Sequence, residues 1–368
     1  MSTPDPGRVR SGRQRVEPGV LRRSWFPVLA ALALVISGCA TDPLDQKGAA
    51  SSGILEAVAP DDAPGCSAAV ALDGDIVWAE ARGMANVDTG AHFETSTPIH
   101  IASVGKQFTA MAVLMLAEQG ALSLEDSPAD HLDGMPAWAE DLTLKDLMHH
   151  TSGIADYLEV PLSDFGEAPL NNDDILEFVR TSPNAQPGTP GTFSYSNTNY
   201  TLLADIVTEV TGVEFAQWMQ ANVFTPLELD ARIGPQKPSD PVGYDAILDE
   251  FRVAEPLAWH AVGSGFVTMT PSELARWGDQ FRAPSLVNAD TLDDALRDAA
   301  PAEAGWTYGP GLFVAEDDGT LVHDGTGAGH YTTFGVSPDR HTAIALSCNH
   351  DGLHLPTVLE DLAAVWLG

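Results

Sequence analysis

The 368-residue chain carries 52 acidic against 18 basic side chains, a formal net charge of −34. A surface that acidic repels phosphate backbones and anionic headgroups, which argues against nucleic-acid binding and against membrane attachment through a basic patch. With 44% hydrophobic residues the chain can fill one large core or two intergrown ones, and its acidity by itself names no substrate.

Residues 1–38 read as an export signal. Arg8, Arg10, Arg13, Arg15 and Arg22-Arg23 precede an apolar stretch from Trp25 to Ile36, which is shorter than the ~20 residues of a spanning helix and ends in small residues. Ile36-Ser37-Gly38-Cys39 resembles the bacterial lipobox, which implies lipidation of Cys39 and an exported, cell-envelope lipoprotein held to the membrane by its lipid. Arg22-Arg23 matches a twin-arginine signal only in part and leaves the export route open. Cleavage before Cys39 leaves 12 basic and 50 acidic side chains, net −38. Residues 39–52, polar and small from Thr41 to Ser52, are expected as the lipidated cysteine and a flexible tether, with the folded domain over 53–368.

Strands Cys66–Leu72 and Ile76–Arg82 flank Asp73-Gly74, a tight-turn pair, so the domain opens with an antiparallel hairpin. Apolar periodicity then predicts helices over Phe108–Gln119, Leu144–His149, Asp173–Arg180, Tyr200–Val210 and Phe215–Asn222. Thr270-Pro271-Ser272-Glu273 is a capping box with proline at the first helical position and starts another helix through Phe281. Strands return at Tyr308–Val314, Thr320–His323, Thr332–Ser337 and His341–Cys348, and Leu355–Leu367 closes as an amphipathic helix. The expected fold is α+β: an antiparallel sheet built from both chain ends (about 53–106 and 263–368), flanked by helices and holding an inserted, mainly helical lobe (about 107–262). A site is expected in the cleft between the lobes. Cys66 and Cys348 lie at strand ends, where an exported protein can pair them and where free core cysteines are also ordinary.

Ser103 and Lys106, three residues apart at the head of a helical run, share one face of a helical turn. A serine hydroxyl needs a neighbour to take its proton, and a desolvated lysine can do so. Two further motifs follow: Tyr195-Ser196-Asn197 on a loop entering a helix, and His323-Asp324-Gly325-Thr326-Gly327 at a strand end, where glycine admits a close backbone approach. In this order and at these separations they resemble the serine β-lactamase and penicillin-binding protein superfamily, above all class C β-lactamases and their esterase and peptidase relatives. Leu147-Met148-His149-His150-Thr151-Ser152-Gly153 and the glycine-rich run Gly263 to Trp277 are similar to segments of that branch, so the resemblance covers nearly the whole mature chain.

The resemblance implies that Ser103 is acylated, that Lys106 takes its proton, that Tyr195 shuttles it to the leaving group, and that Asn197 hydrogen-bonds a substrate amide or carbonyl. The oxyanion hole would be the N–H groups of Ser103 and Thr326, with His323 and Gly325 on the substrate side. Where relatives typically carry lysine, this chain has His323, mostly neutral near pH 7. Asp324, on the opposite strand face, is not placed to charge it. That favours an ester or amide without an obligatory carboxylate over a β-lactam or D-alanyl-D-alanine peptide. The alternatives are β-lactamase or D-alanyl-D-alanine carboxypeptidase activity, or a non-catalytic penicillin-recognising protein. His149-His150 and His323 with His330 do not form a metal motif, and no cofactor is implied. His150, Thr151 and Ser152 are expected to fix a loop.

Overall fold

A computed structural model describes residues 42–162, 165, 169–247, 250–258 and 260–368; the expected export signal and Cys39 lie outside the described residues. Its centre is an eight-stranded antiparallel sheet in the order Ala300–Pro301, Trp306–Gly309, Leu312–Ala315, Leu321–Gly327, His330–Val336, Thr342–Cys348, Cys66–Leu72, Asp75–Arg82. The strands from the two ends of the domain meet between the sixth and seventh positions of the sheet, where Cys66 faces Cys348 across the ladder and the two form a disulfide. All seven residues of Thr342–Cys348 are buried, because helices cover both faces of the sheet. Helices Pro43–Val58 and Leu355–Leu367 pack on one face through Leu55, Val358, Leu362 and Trp366. Lys106–Glu118 and Pro271–Trp277 cover the other through Phe108, Leu274 and Trp277.

The segment expected as a flexible tether is folded from Pro43 onward. Asp42 caps that helix, its carboxylate accepting from the Leu44 N–H. Ser51 and Leu55 are buried on the sheet, Trp366 Nε1 donates to Ser51 Oγ at 2.9 Å, and Lys47 Nζ donates to the Trp366 carbonyl at 3.0 Å. Small residues such as Gly48 let the helix lie close to the sheet at Trp78, so a composition typical of linkers serves packing here. The expected strand Tyr308–Val314 is likewise two strands, turned at Pro310-Gly311. Gly311 has φ +79°, and a Cβ on it would stand 2.5 Å from the Gln107 backbone, so this turn presses on the start of the central helix.

That helix, Lys106–Glu118, is buried from Lys106 to Leu116. Asn197–Thr211 packs across it and ends at Gly212 in the left-handed conformation. The capping box at Thr270 forms as expected: Glu273 N–H donates to Thr270 Oγ1 at 3.1 Å and Thr270 N–H to Glu273 Oε2 at 2.9 Å. Elements without a sequence expectation include helix Ala289–Arg297 and a small sheet of Ile99–His100, Val267–Met269 and Arg232–Ile233. That small sheet leads the chain directly into Ala102-Ser103.

Candidate active site

Ser103 lies in a single 3-10 turn, Ala102–Gly105, which runs into the central helix at Lys106. Ala102 holds φ +48°, a left-handed conformation that costs a non-glycine residue on the order of 1 kcal/mol and that sets the entry angle of the turn. Ser103 is half-buried while its neighbours Val104 and Gly105 are fully covered.

One turn on, the Lys106 side chain is wholly buried and its amine has three oxygen neighbours: Ser103 Oγ at 3.0 Å, Asn197 Oδ1 at 2.7 Å and the Ser264 carbonyl at 2.7 Å. Two of these are pure acceptors. A neutral amine satisfies both with its two hydrogens, and its lone pair is left for the Ser103 hydroxyl, which then donates to it. The site therefore orients the lysine as a base. Burial lowers its pKa to about 7, opposed by the charge of Asp156.

Asn197 is fixed in turn. Its Nδ2 donates to Asp156 Oδ2 at 2.8 Å, which determines that Oδ1 faces the lysine. Asn197 thus bridges Asp156 and the lysine from opposite ends of its amide, its carbonyl holding Lys106. Asp156 carries no motif in the sequence. Its carboxyl is raised by burial and drawn back by the Leu158 N–H and Asn197.

The Tyr195 phenol is within hydrogen-bonding reach of the Ser103 side chain, and Lys106 Nζ lies 4.9 Å from the centre of its ring. Burial pushes the phenol well above its ordinary pKa, so Tyr195 is a neutral hydroxyl that can pass a proton on but does not begin as a phenolate. The loop bearing it is held by the His149-to-Gly153 segment. Ser194 N–H donates to the His150 carbonyl at 2.8 Å, Ser196 N–H to His150 Nδ1 at 3.1 Å, and the His150 ring stacks on Tyr195 with centres 4.2 Å apart. Ser152 Oγ donates to Asn199 Oδ1 and Thr151 Oγ1 to Asp146 Oδ1. These are scaffold contacts.

Gly325 lies against the Ser103 turn from the sheet side. A Cβ there would stand 2.7 Å from the Ser103 nitrogen, 3.0 Å from that of Val104 and 2.5 Å from the Ile101 carbonyl. Only glycine lets the strand run this close, and it carries the next residue, exposed Thr326, to the same edge of the cleft.

His323 is the residue whose setting differs most from expectation. It is buried, with Nδ1–H donating to the Asp324 carbonyl at 2.6 Å and Nε2 accepting from the Tyr308 hydroxyl at 3.1 Å. Both nitrogens face protein groups, because the aromatic rings of Tyr308, Phe313 and Tyr195 close around the imidazole. Burial and then the nearby Lys106 lower its pKa to about 3. The ring is neutral and packs beside that of Tyr195. The Asp324 carboxyl, raised to about 6 by burial, belongs to the other face.

The sequence and the fold match known proteins in agreement with this geometry. Residues 54–364 match the family model Beta-lactamase. "Penicillin-binding protein 4*" of Bacillus subtilis is 28% identical over 189 residues, which is 48% of this chain and 40% of that protein, so the chain spans less than half of this relative. Among solved structures, D-amino acid amidase from Ochrobactrum anthropi superposes with TM-score 0.74 at 20% identity, over 87% of this chain and 97% of that one. "EstCE1, a hydrolase with promiscuous acyltransferase activity" superposes with TM-score 0.75 at 18% identity, over 88% and 99%. With a match covering most of its length, the chain belongs to the beta-lactamase family.

Proposed function

We propose that this protein is a serine hydrolase that works through an acyl-enzyme at Ser103 on an uncharged ester or amide. The observation that carries the reading is the buried Lys106 amine, 3.0 Å from Ser103 Oγ, with its hydrogens directed to Asn197 and Ser264 and its pKa brought to about 7. In the first step Ser103 Oγ attacks the substrate carbonyl carbon while its proton moves to Lys106 Nζ. The oxyanion develops against the Ser103 and Thr326 N–H groups, and the loss of one such donor typically costs a factor of ~100 to 1000 in turnover. The carbonyl–heteroatom bond breaks as Tyr195 hands a proton to the leaving group and is reprotonated from Lys106. A water then attacks the ester with the same groups run in reverse.

The neutral, enclosed His323 supports the choice of substrate, since no fixed cation is there to receive a carboxylate. Two proteins that share the fold, a D-amino acid amidase and a hydrolase with promiscuous acyltransferase activity, support an ester or amide substrate. The test is covalent labelling with a fluorophosphonate, together with steady-state hydrolysis of p-nitrophenyl esters. Wild type should label and turn over repeatedly, while Ser103→Ala should do neither and keep its circular dichroism spectrum. Labelling that survives in Ser103→Ala, or a single burst without turnover, refutes the reading.

Export and lipid attachment at Cys39 belong to the same proposal. The Cys66–Cys348 bond suits an oxidising compartment. Three residues lie between Cys39 and the helix that begins at Pro43, roughly 10 to 15 Å of chain at full extension, so an acylated protein would sit close to the bilayer.

A further inference from the structure

The hairpin of Tyr244–Ile247 and Glu250–Val253 stands outside the central sheet as a two-stranded sheet of its own, and all four residues of its second strand are exposed. Tyr244 N–H donates to the Asn349 carbonyl at 2.9 Å and the Tyr244 carbonyl accepts from Asp351 N–H, so this residue turns its backbone away from the second strand. Its partner across the hairpin, Val253, then turns its own N–H and carbonyl to the outer edge, and by alternation so does Phe251. Among the described residues no further strand pairs with that edge, and neither proline, lysine nor a bulge blunts it. Three of the nine large apolar side chains exposed among the described residues, Ile247, Phe251 and Val253, lie in this one hairpin, a concentration that marks a contact surface rather than ordinary scatter.

The charges on the second strand say what covers its edge. Glu250 and Arg252, two residues apart, share the face opposite Phe251; Arg252 Nη2 lies 3.5 Å from Glu250 Oε2 and both side chains stand in solvent. When a second copy is laid alongside, antiparallel and related by a two-fold axis at Phe251, Glu250 of each strand stands opposite Arg252 of the other. Two-fold registers centred on Glu250 or on Arg252 set like charges against each other, so the strand is complementary to itself in the Phe251 register. In that register the outward N–H and carbonyl of Phe251 meet their counterparts, and the two Phe251 side chains pair across the axis. The chain's net charge of −34 opposes association, but repulsion beyond roughly 8 Å is screened at physiological salt, whereas the facing charges are adjacent.

We propose that this edge docks a second copy of the chain, by antiparallel pairing of Glu250–Val253 with itself about Phe251. One strand pair is a small interface, so the dimer is weak and forms at micromolar concentration. The inference does not depend on the chemistry at Ser103.

Sedimentation velocity of the purified protein from about 1 to 100 µM at physiological salt should show monomer passing into dimer. Glu250→Arg makes these two positions wholly basic and Arg252→Glu makes them wholly acidic. Each should weaken self-association by about tenfold or more with an unchanged melting temperature, whereas an equimolar mixture of the two should pair as a heterodimer. Phe251→Cys faces its own copy at the roughly 5.5 Å Cα spacing of a hydrogen-bonded pair, and air oxidation should give a covalent dimer in excess of any that wild type forms through Cys39. This cross-link carries the test if a charge variant fails to fold. A wild type that stays monomeric throughout, folded charge variants that dimerise like wild type, a mixture that stays monomeric, or no added cross-link in Phe251→Cys overturns the proposal.

Discussion

Asn197 Oδ1 lies 2.7 Å from Lys106 Nζ, closer than Ser103 Oγ does, so the amide and not the nucleophile is the lysine's nearer partner. With the Ser264 carbonyl it fixes the direction of the lone pair. Asn197→Ala removes that acceptor, frees the buried amine to turn, and takes from Asp156 one of its donors, leaving the Leu158 N–H. The expected outcome is a fall in kcat of about 100-fold with KM little changed, since a misplaced base costs roughly that factor while substrate binding is untouched. A matching rise in KM would mean that Asn197 binds substrate instead.

The pH profile tests the state of Lys106. A base with a pKa of about 7 gives kcat/KM that climbs with unit slope below that pH and levels above it. The charge of Asp156 favours protonated Lys106. Asp156→Asn keeps an acceptor for Asn197 but deletes that charge, and should move the limb to lower pH. Stability follows with its own sign. Lys106 titrates lower in the native than in the unfolded chain, so between about pH 7 and 10.5 the unfolded state binds more protons and stability rises with pH. A limb that stays in place in Asp156→Asn assigns the titration to another group.

Gly325 links the sheet to the nucleophile more tightly than any side chain does. In Gly325→Ala the new methyl would overlap the Ile101 carbonyl and the Ser103 nitrogen, both backbone atoms that cannot turn aside, so the strand must retreat. Thr326 retreats with it and the two oxyanion donors part. Turnover of a p-nitrophenyl ester should drop by about 100- to 1000-fold, while the side chains of Ser103 and Lys106 stay paired. Steady-state rates beside a thermal melt separate this from simple unfolding; a variant that retains full turnover places the oxyanion elsewhere.

What the sequence made legible follows from the range of each signal. Cys66–Leu72 with its Asp73-Gly74 turn, the Thr270 capping box and the closing helix Leu355–Leu367 are local patterns, and they fold as read. Ser103, Lys106, Tyr195 and Asn197 were identifiable because motif order carries long-range information that periodicity lacks. Asp156 was not, because an aspartate in a loop gains its meaning only when Asn197, far along the chain, turns its amide toward it. The part of helix Pro43–Val58 up to Ser52 was read as tether because Gly, Ala and Ser composition is the same whether small residues serve flexibility or close packing, and only the sheet face at Trp78 decides. His323 was read as mostly neutral from its residue type alone. Its enclosure by Tyr308 and Phe313 depended on the hairpin at Pro310-Gly311, which hydrophobic content alone had merged into one strand.

His323 offers the sharpest test of substrate choice. The buried imidazole and Lys106 already feel one another, since the lysine's charge helps to lower the histidine. In His323→Lys a second amine would occupy this place, where the Tyr308 hydroxyl can accept from it and its longer stem can pass Tyr195 toward the cleft. When charged it would attract a substrate carboxylate, so turnover of a cephalosporin relative to a neutral p-nitrophenyl ester should rise several-fold. The same charge disfavours protonated Lys106, and the acid limb of ester hydrolysis should shift to lower pH in parallel. A flat cephalosporin-to-ester ratio accompanied by a displaced limb would show the new cation to be present and without effect on selectivity, and the preference for an uncharged substrate would then have to reside in the loops that form the rest of the cleft.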